Sequence, residues 1–223
     1  MALSERLPAL RAKQSRRPWA PALFLDKDGT LVEDVPYNVD PAQLRFLPGA
    51  GAALARLAAA GFALVMITNQ SGIGRGLFTR AAFERLEQAL RQRLREAHGV
   101  ELDGVLLCPH LPDASGDPAC HCRKPAAGLL LQAATLLKLD LTRSWMVGDT
   151  LDDVEAGHRA GCRSLLLDSG GETVWRMSPL REPEYRIRHW SELEAVLLTP
   201  ERPGQPPPAP GTDHGTDHGP GPG

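Results

Sequence analysis

The chain has 223 residues, of which 42% are hydrophobic and 23% charged, and it carries a formal net charge of −2. That length is ample for an independent core. The near-zero charge excludes a chain-wide electrostatic grip on nucleic acid or anionic lipid. Four Cys are too few for a disulfide scaffold, and no run approaches the roughly 18 consecutive apolar residues of a membrane span. The expectation is a cytoplasmic, monomeric enzyme or binding domain.

Residues 1–20 read as a basic, flexible leader, with Arg6, Arg11, Lys13, Arg16 and Arg17 set against Glu5 alone and no apolar stretch of the secretory kind. From residue 21 to 199 short apolar runs alternate with helical periodicity. Buried parallel strands are expected at Ala22–Leu25, Ala63–Ile67, Val105–Leu107, Trp145–Val147 and Ser164–Leu167, with a weaker sixth at 185–188. Helices are expected over 49–60, ending at Gly61, and over 79–98, with Thr79 as N-cap and Gly99 as terminator. Others are expected over 125–138, opening on Pro125, and over 152–160, capped by Asp152. A short terminal helix would begin at Ser191, with Glu194 at capping-box spacing. Strand alternating with helix predicts an α/β fold, a doubly wound, Rossmann-like parallel sheet with helices on both faces. No insertion is long enough for a separate cap domain. The last 24 residues, 200–223, hold eight Pro, six Gly and a tandem Thr-Asp-His-Gly repeat. Such a segment buries too little apolar area to offset its ordering entropy and reads as a disordered tail.

In doubly wound sheets ligands bind beyond the carboxyl ends of the strands. Four short segments with chemical content sit there. After the first strand comes Asp26-Lys27-Asp28-Gly29-Thr30. Two carboxylates two residues apart repel unless a cation lies between them. The pair suggests Asp26 as a nucleophile and Asp28 as general acid, then base; the alternative is a solvated turn. After the second strand, Thr68-Asn69-Gln70-Ser71-Gly72 offers a hydroxyl and backbone N–H groups for phosphate oxygens. Arg123-Lys124-Pro125 would open a helix and form an anion site, a pointed use of Lys in a chain with only four. After the fourth strand, Asp149 could join Asp26 and the Asp28 carbonyl around Mg²⁺.

In this order the four segments resemble the haloacid dehalogenase superfamily of aspartate-nucleophile phosphohydrolases, over roughly residues 22–197. Cys108-Pro-His110 and Cys120-His-Cys122 resemble its zinc-bearing branch, which contains heptose-bisphosphate and histidinol-phosphate phosphatases. The resemblance implies a structural Zn²⁺ on Cys108, His110, Cys120 and Cys122, pinning the loop 108–122. Three thiolates and one imidazole make a closed set with no open position for catalysis. A Cys120–Cys122 disulfide is the competing reading, and Cys162 reads as a small buried residue.

The stretch from Thr68 to Thr79 and the loop from Glu33 to Asn38 are similar to those of the heptose-bisphosphate phosphatases. The likeness implies substrate contacts from Asp34, Tyr37, Asn69, Gln70, Ser71, Arg75 and Arg123. Residues 108–112 look equally like the histidinol-phosphate branch. Thr150 stands where heptose phosphatases commonly have Lys, and the segment 170–183 has no counterpart. The resemblance implies Mg²⁺-dependent phosphomonoester hydrolysis through an aspartyl-phosphate, with Asp26, Asp28, Thr68 and Lys124 catalytic. The small phosphorylated substrate would be foremost heptose 1,7-bisphosphate, cleaved at its 7-phosphate. Histidinol phosphate and a nucleic-acid end are the alternatives.

Overall fold

The five stronger predicted strands are short runs that put apolar side chains on both faces, so they can be stable only inside a sheet covered on both faces. The computed structural model, which describes residues 19–116 and 118–198, has that form. The readings of the leader before Trp19 and of the tail from 200 on lie outside the described residues. Six parallel strands, β1 Ala22–Leu25, β2 Ala63–Asn69, β3 Gly104–Cys108, β4 Trp145–Gly148, β5 Arg163–Leu167 and β6 Tyr185–Ile187, form one sheet in the order β3-β2-β1-β4-β5-β6. The chain steps outward from β1 through β2 to β3, then returns to pair β4 with the free side of β1. The crevice where the order reverses therefore lies at the carboxyl ends of β1 and β4, just before Asp26 and Asp149.

Among the described residues the helices are α1 Ala50–Ala59, the short α2 Ser71–Gly74, α3 Arg80–His98, α4 Gly128–Leu137, α5 Leu151–Ala160 and α6 Trp190–Leu198. Side-chain alternation in β1 divides the core. Leu23 and Leu25 pack with residues of α1, α3 and α6, among them Leu54, Phe83 and Trp190. Ala22 and Phe24 pack with α4 and α5 residues such as Leu130, Ala133 and Ala156 on the other face, where buried Cys162 also lies. The Thr79 hydroxyl accepts from Ala82 N at the start of α3, and Gly99 ends that helix in the left-handed region. Among the described residues no helix is long and apolar enough to cross a membrane.

Three helix starts differ from the sequence expectation. α4 begins at Gly128, not Pro125, because residues 121–126 are spent on a turn: Ala126 N donates to Arg123 O and Gly128 N to His121 O. The helix N-terminus therefore does not coincide with Lys124. α5 is capped by Thr150 rather than Asp152. Thr150 and Asp153 form a reciprocal capping box, while Asp152 turns outward to Arg181. α6 begins at Trp190, and Glu192 rather than Glu194 reaches back to accept from Arg188 N and His189 N, 2.9 Å each. Glu194 instead pairs with Arg56 of α1.

Phe24, fully buried between the sheet and α4–α5, links the core to the site two residues on. Phe24→Ala is expected to cost about 3–5 kcal/mol of unfolding free energy, read from urea denaturation. A cost below about 1 kcal/mol would show that this face is less tightly packed.

Candidate active site and metal centres

The segment after β1 turns sharply. Asp26 N donates to Val147 O of β4 (3.0 Å), Leu31 N to Lys27 O (3.0 Å), and Gly29 adopts a positive φ of 71°. A side chain at 29 would be strained there and would also collide with Asp149, since a Cβ would lie 2.1 Å from Asp149 Oδ2. The Trp190 indole anchors the turn by donating to Thr30 O (2.9 Å), and the Thr30 hydroxyl donates to Asp149 Oδ1 (3.1 Å). The β1 and β4 ends are thereby drawn together.

At their junction Asp26, Asp149 and Asp153 each offer a carboxylate oxygen, and these oxygens lie within 4.8 Å of one another. One buried ammonium faces them: Lys124 Nζ is 2.7 Å from Asp26 Oδ1, 2.5 Å from Asp153 Oδ1, and donates to Ile67 O at 3.1 Å. Burial, opposed by Lys124 and reinforced by Asp153 and Asp28, pushes the Asp26 carboxyl up to about 7. Burial and the repulsion of Asp153 and Asp26 push Asp149 up to about 8. Lys124 is shifted upward in turn: burial opposes its charge, but Asp153 and Asp26 outweigh it. Three clustered carboxylates against one ammonium leave uncompensated negative charge among hard oxygen ligands, and Mg²⁺ fits that donor set.

Asp153 is a site residue that the sequence reading passed over as part of a helix start. A local signal was available: Thr150-x-x-Asp153 has capping-box spacing, which puts Asp153 in the first turn of a helix that starts just after Asp149. Asp28 turns its carboxylate away from this trio. Oδ2 accepts from Gln70 Nε2 (3.0 Å) and Oδ1 pairs with the buried Lys27. Gln70 also donates to the Thr68 hydroxyl oxygen (2.9 Å), which leaves the Thr68 O–H free to donate to a ligand. Asn69 spends both amide atoms on the backbone of Lys124, accepting from its N (3.1 Å) and donating to its O (3.2 Å). It thus holds the lysine loop even though it borders the pocket.

That pocket, about 270 Å³, opens over Asp28 between Asp34, Pro36, Tyr37 and Asn38 on one side and Asn69, Gln70, Ser71 and Gly72 on the other. Arg75 is exposed at the end of α2, an element not anticipated from sequence. Arg123 is half-buried and donates to His110 O at 3.3 Å.

Cys108, His110, Cys120 and Cys122 converge as a second group. Sulfur–sulfur distances are 3.2 Å for Cys120–Cys122, 3.2 Å for Cys108–Cys122 and 3.6 Å for Cys108–Cys120, and His110 Nδ1 is 3.1 Å from Cys122 Sγ. A disulfide needs about 2.05 Å, and all four Cys are free, so the Cys120–Cys122 disulfide reading is set aside. A tetrahedron with ~2.3 Å metal–sulfur bonds has edges of roughly 3.8 Å, and the four donors fit Zn²⁺ after a small expansion. Burial opposes thiolate formation at Cys120, but hydrogen bonds from Cys122 and from backbone N–H groups outweigh it and bring Cys120 down to about 7. His121 points to solvent. The knuckle places Lys124 two residues after Cys122, and it ties β3 to the second segment through Gln70 N donating to Cys108 O (2.8 Å).

Comparison with known proteins agrees with this geometry. Residues 121–193 match a family model described as HAD-hydrolase-like. A D-glycero-beta-D-manno-heptose-1,7-bisphosphate 7-phosphatase from Haemophilus ducreyi is 42% identical over 155 residues, 69% of this chain and 85% of that protein. The protein of the same name from Escherichia coli K12 is 41% identical over 190 residues, covering 83% of this chain and 97% of its own length. The solved D,D-heptose 1,7-bisphosphate phosphatase of B. bronchiseptica, complexed with magnesium and phosphate, is 31% identical. It aligns with a TM-score of 0.67 over 80% of this chain and 98% of that one.

The raised Asp26 and Asp149 values set a pH dependence. Each is held above the ordinary carboxylate value of 3.8, so the folded state binds more protons than the unfolded one between about pH 4 and pH 8. Their contribution to stability is full below about pH 4 and is lost as the pH rises through 7 and 8. Thermal unfolding without added Mg²⁺, the zinc left in place, is therefore expected to shift downward from pH 5 to pH 8, with Mg²⁺ restoring most at the alkaline end. An Mg²⁺ effect that is largest at pH 5 would contradict the assignment. For the second centre, elemental analysis is expected to find one zinc per chain. Cys120→Ser should lose it, melt lower and turn over more slowly through displacement of Lys124. Full activity and an unchanged melting temperature without zinc would contradict that role.

Proposed function

The chain belongs to the HAD-hydrolase-like family, and on that premise we propose that it is a Mg²⁺-dependent phosphomonoesterase that removes the 7-phosphate of heptose 1,7-bisphosphate through an aspartyl-phosphate. The observation that carries this reading is the meeting of Asp26, Asp149, Asp153 and Lys124 at the β1–β4 crevice, beside a pocket that opens over Asp28. The heptose substrate is the one named for relatives about 41% identical to this chain.

Asp26, Asp149 and Asp153, with the Asp28 carbonyl, would hold Mg²⁺, whose charge offsets repulsion between carboxylate and phosphate and keeps Asp26 ionised. An Asp26 oxygen attacks phosphorus in line with the ester oxygen. The phosphorus–ester bond breaks, and Asp28 gives its proton to the departing sugar oxygen. Lys124 and the free O–H of Thr68 hold equatorial oxygens as charge develops. Asp28, now a carboxylate, takes a proton from water, which attacks phosphorus and releases phosphate and Asp26. Gln70 keeps Asp28 aimed at the pocket. Asp34, Tyr37 and Ser71 contact the sugar, and Arg75 and Arg123 serve the second phosphate. Zn²⁺ on Cys108, His110, Cys120 and Cys122 stays structural.

Phosphate release in Mg²⁺ is expected to be fastest on heptose 1,7-bisphosphate among a set that includes histidinol phosphate and 5′-phosphorylated oligonucleotides. Asp26→Asn is expected to lower it by about 10³-fold or more. Release at the parental rate from Asp26→Asn would contradict the mechanism. A clear preference for histidinol phosphate or an oligonucleotide would contradict the substrate.

A further inference from the structure

The segment after β5, which no motif explains, crosses the crevice at Asp149. Ser169 Oγ donates to Gly29 O (3.2 Å), tying the segment to the turn after β1. At Gly171 the backbone comes so close that a Cβ would lie 1.9 Å from Asp149 Oδ2. Glu172 then uses both carboxylate oxygens on backbone N–H groups. Oε2 accepts from Leu151 N at the start of α5 (2.9 Å), and Oε1 accepts from Val174 N (2.8 Å). Asp149 is thus enclosed on three sides, by the Thr30 hydroxyl on Oδ1 and by two glycine backbones, 29 and 171, against Oδ2. The far end of the segment is secured independently, where Arg181 pairs with Glu155 (2.6 Å) and Asp152 (2.8 Å). The stretch between, with exposed Val174, Trp175 and Met177, is not needed to hold the near end down.

We propose that residues 169–172 are a brace for the Asp149 carboxylate, with Gly171 and Glu172 as positioning residues that set the cation affinity of the site. This rests on the reading of Asp149 as a cation ligand. The physical reason is the alternative conformer: without the brace, a buried carboxylate crowded by those of Asp26 and Asp153 would swing toward water, and cation binding would have to bring it back. Groups that orient a metal ligand typically account for about 10–100-fold in metal affinity. Gly171→Ala tests contact directly, because its Cβ must displace either Asp149 or the segment, and both outcomes undo the brace. Glu172→Ala tests the tie to α5, because it removes both acceptors that Leu151 N and Val174 N use.

The experiment is calorimetric titration of Mg²⁺ into the full chain, with Asp149→Asn in parallel and steady-state rates at saturating Mg²⁺. Both variants are expected to bind Mg²⁺ about tenfold or more weakly than the parent, with the substrate KM at saturating Mg²⁺ unchanged. Parental Mg²⁺ affinity in either folded variant overturns the brace, whatever its melting temperature, since a merely structural loop would alter melting alone. If Asp149→Asn itself binds Mg²⁺ as tightly as the parent, the assignment of Asp149 as a ligand is what fails.

Discussion

The Lys124 ammonium is the constraint on which the rest of the site depends. It has three N–H donors, and Asp26, Asp153 and the Ile67 carbonyl take all three. Those acceptors come from the residue after β1, from β2 near its end and from the first turn of α5, so one side chain fixes the spacing of three separate elements. A buried ammonium without such partners would be severely destabilising, and carboxylates this close without a cation would repel. Each half of the arrangement is tolerable only because of the other. The same fact shapes the chemistry. A phosphate oxygen reaches Lys124 only by taking over one of its existing partners, and a cation on Asp26 would free one.

Two further devices serve that lysine and the carboxylate opposite it. The Cys/His knuckle leads directly into Arg123 and Lys124, and Asn69 grips the lysine backbone in both directions. Structural metal binding is worth on the order of 10 kcal/mol in sites of this kind, so it can hold an irregular loop that lacks helix or sheet hydrogen bonds. Glycines at 29 and 171 let two backbones close on Asp149 where a Cβ could not fit. Small residues, and the Cys/His knuckle when it holds Zn²⁺, would do here what a larger domain does by burial.

Much of this was legible in the sequence because the signals were local. Apolar runs as short as Trp145–Val147 can be stable only inside a covered sheet. A carboxylate pair after a strand has no packing rationale, and three Cys and a His within 15 residues already define a donor set. What escaped depended on contacts distant in sequence. The start of α4 was misplaced because Pro125 suits a first turn, but Gly128 and Ala126 are bound into the turn from 121. Asp152 looked like a cap until Arg181, 29 residues on, proved to be its partner. Asp153 read as part of the helix start although it reaches Lys124, and α2 is too short to show periodicity. The strap at 169–172 has no motif at all, since its role lies in where Gly171 passes.

The central claim is that Asp26, held beside Lys124, becomes phosphorylated during turnover. Acid-quenching the enzyme with radiolabelled phosphate ester, reducing the product with borohydride and mapping peptides by mass would test it directly. The account predicts an acid-stable, labelled enzyme species in the pre-steady state and conversion of residue 26, and no other, to homoserine. Phosphate release with no labelled enzyme, or reduction mapped to Asp28, Asp149 or Asp153, would contradict it.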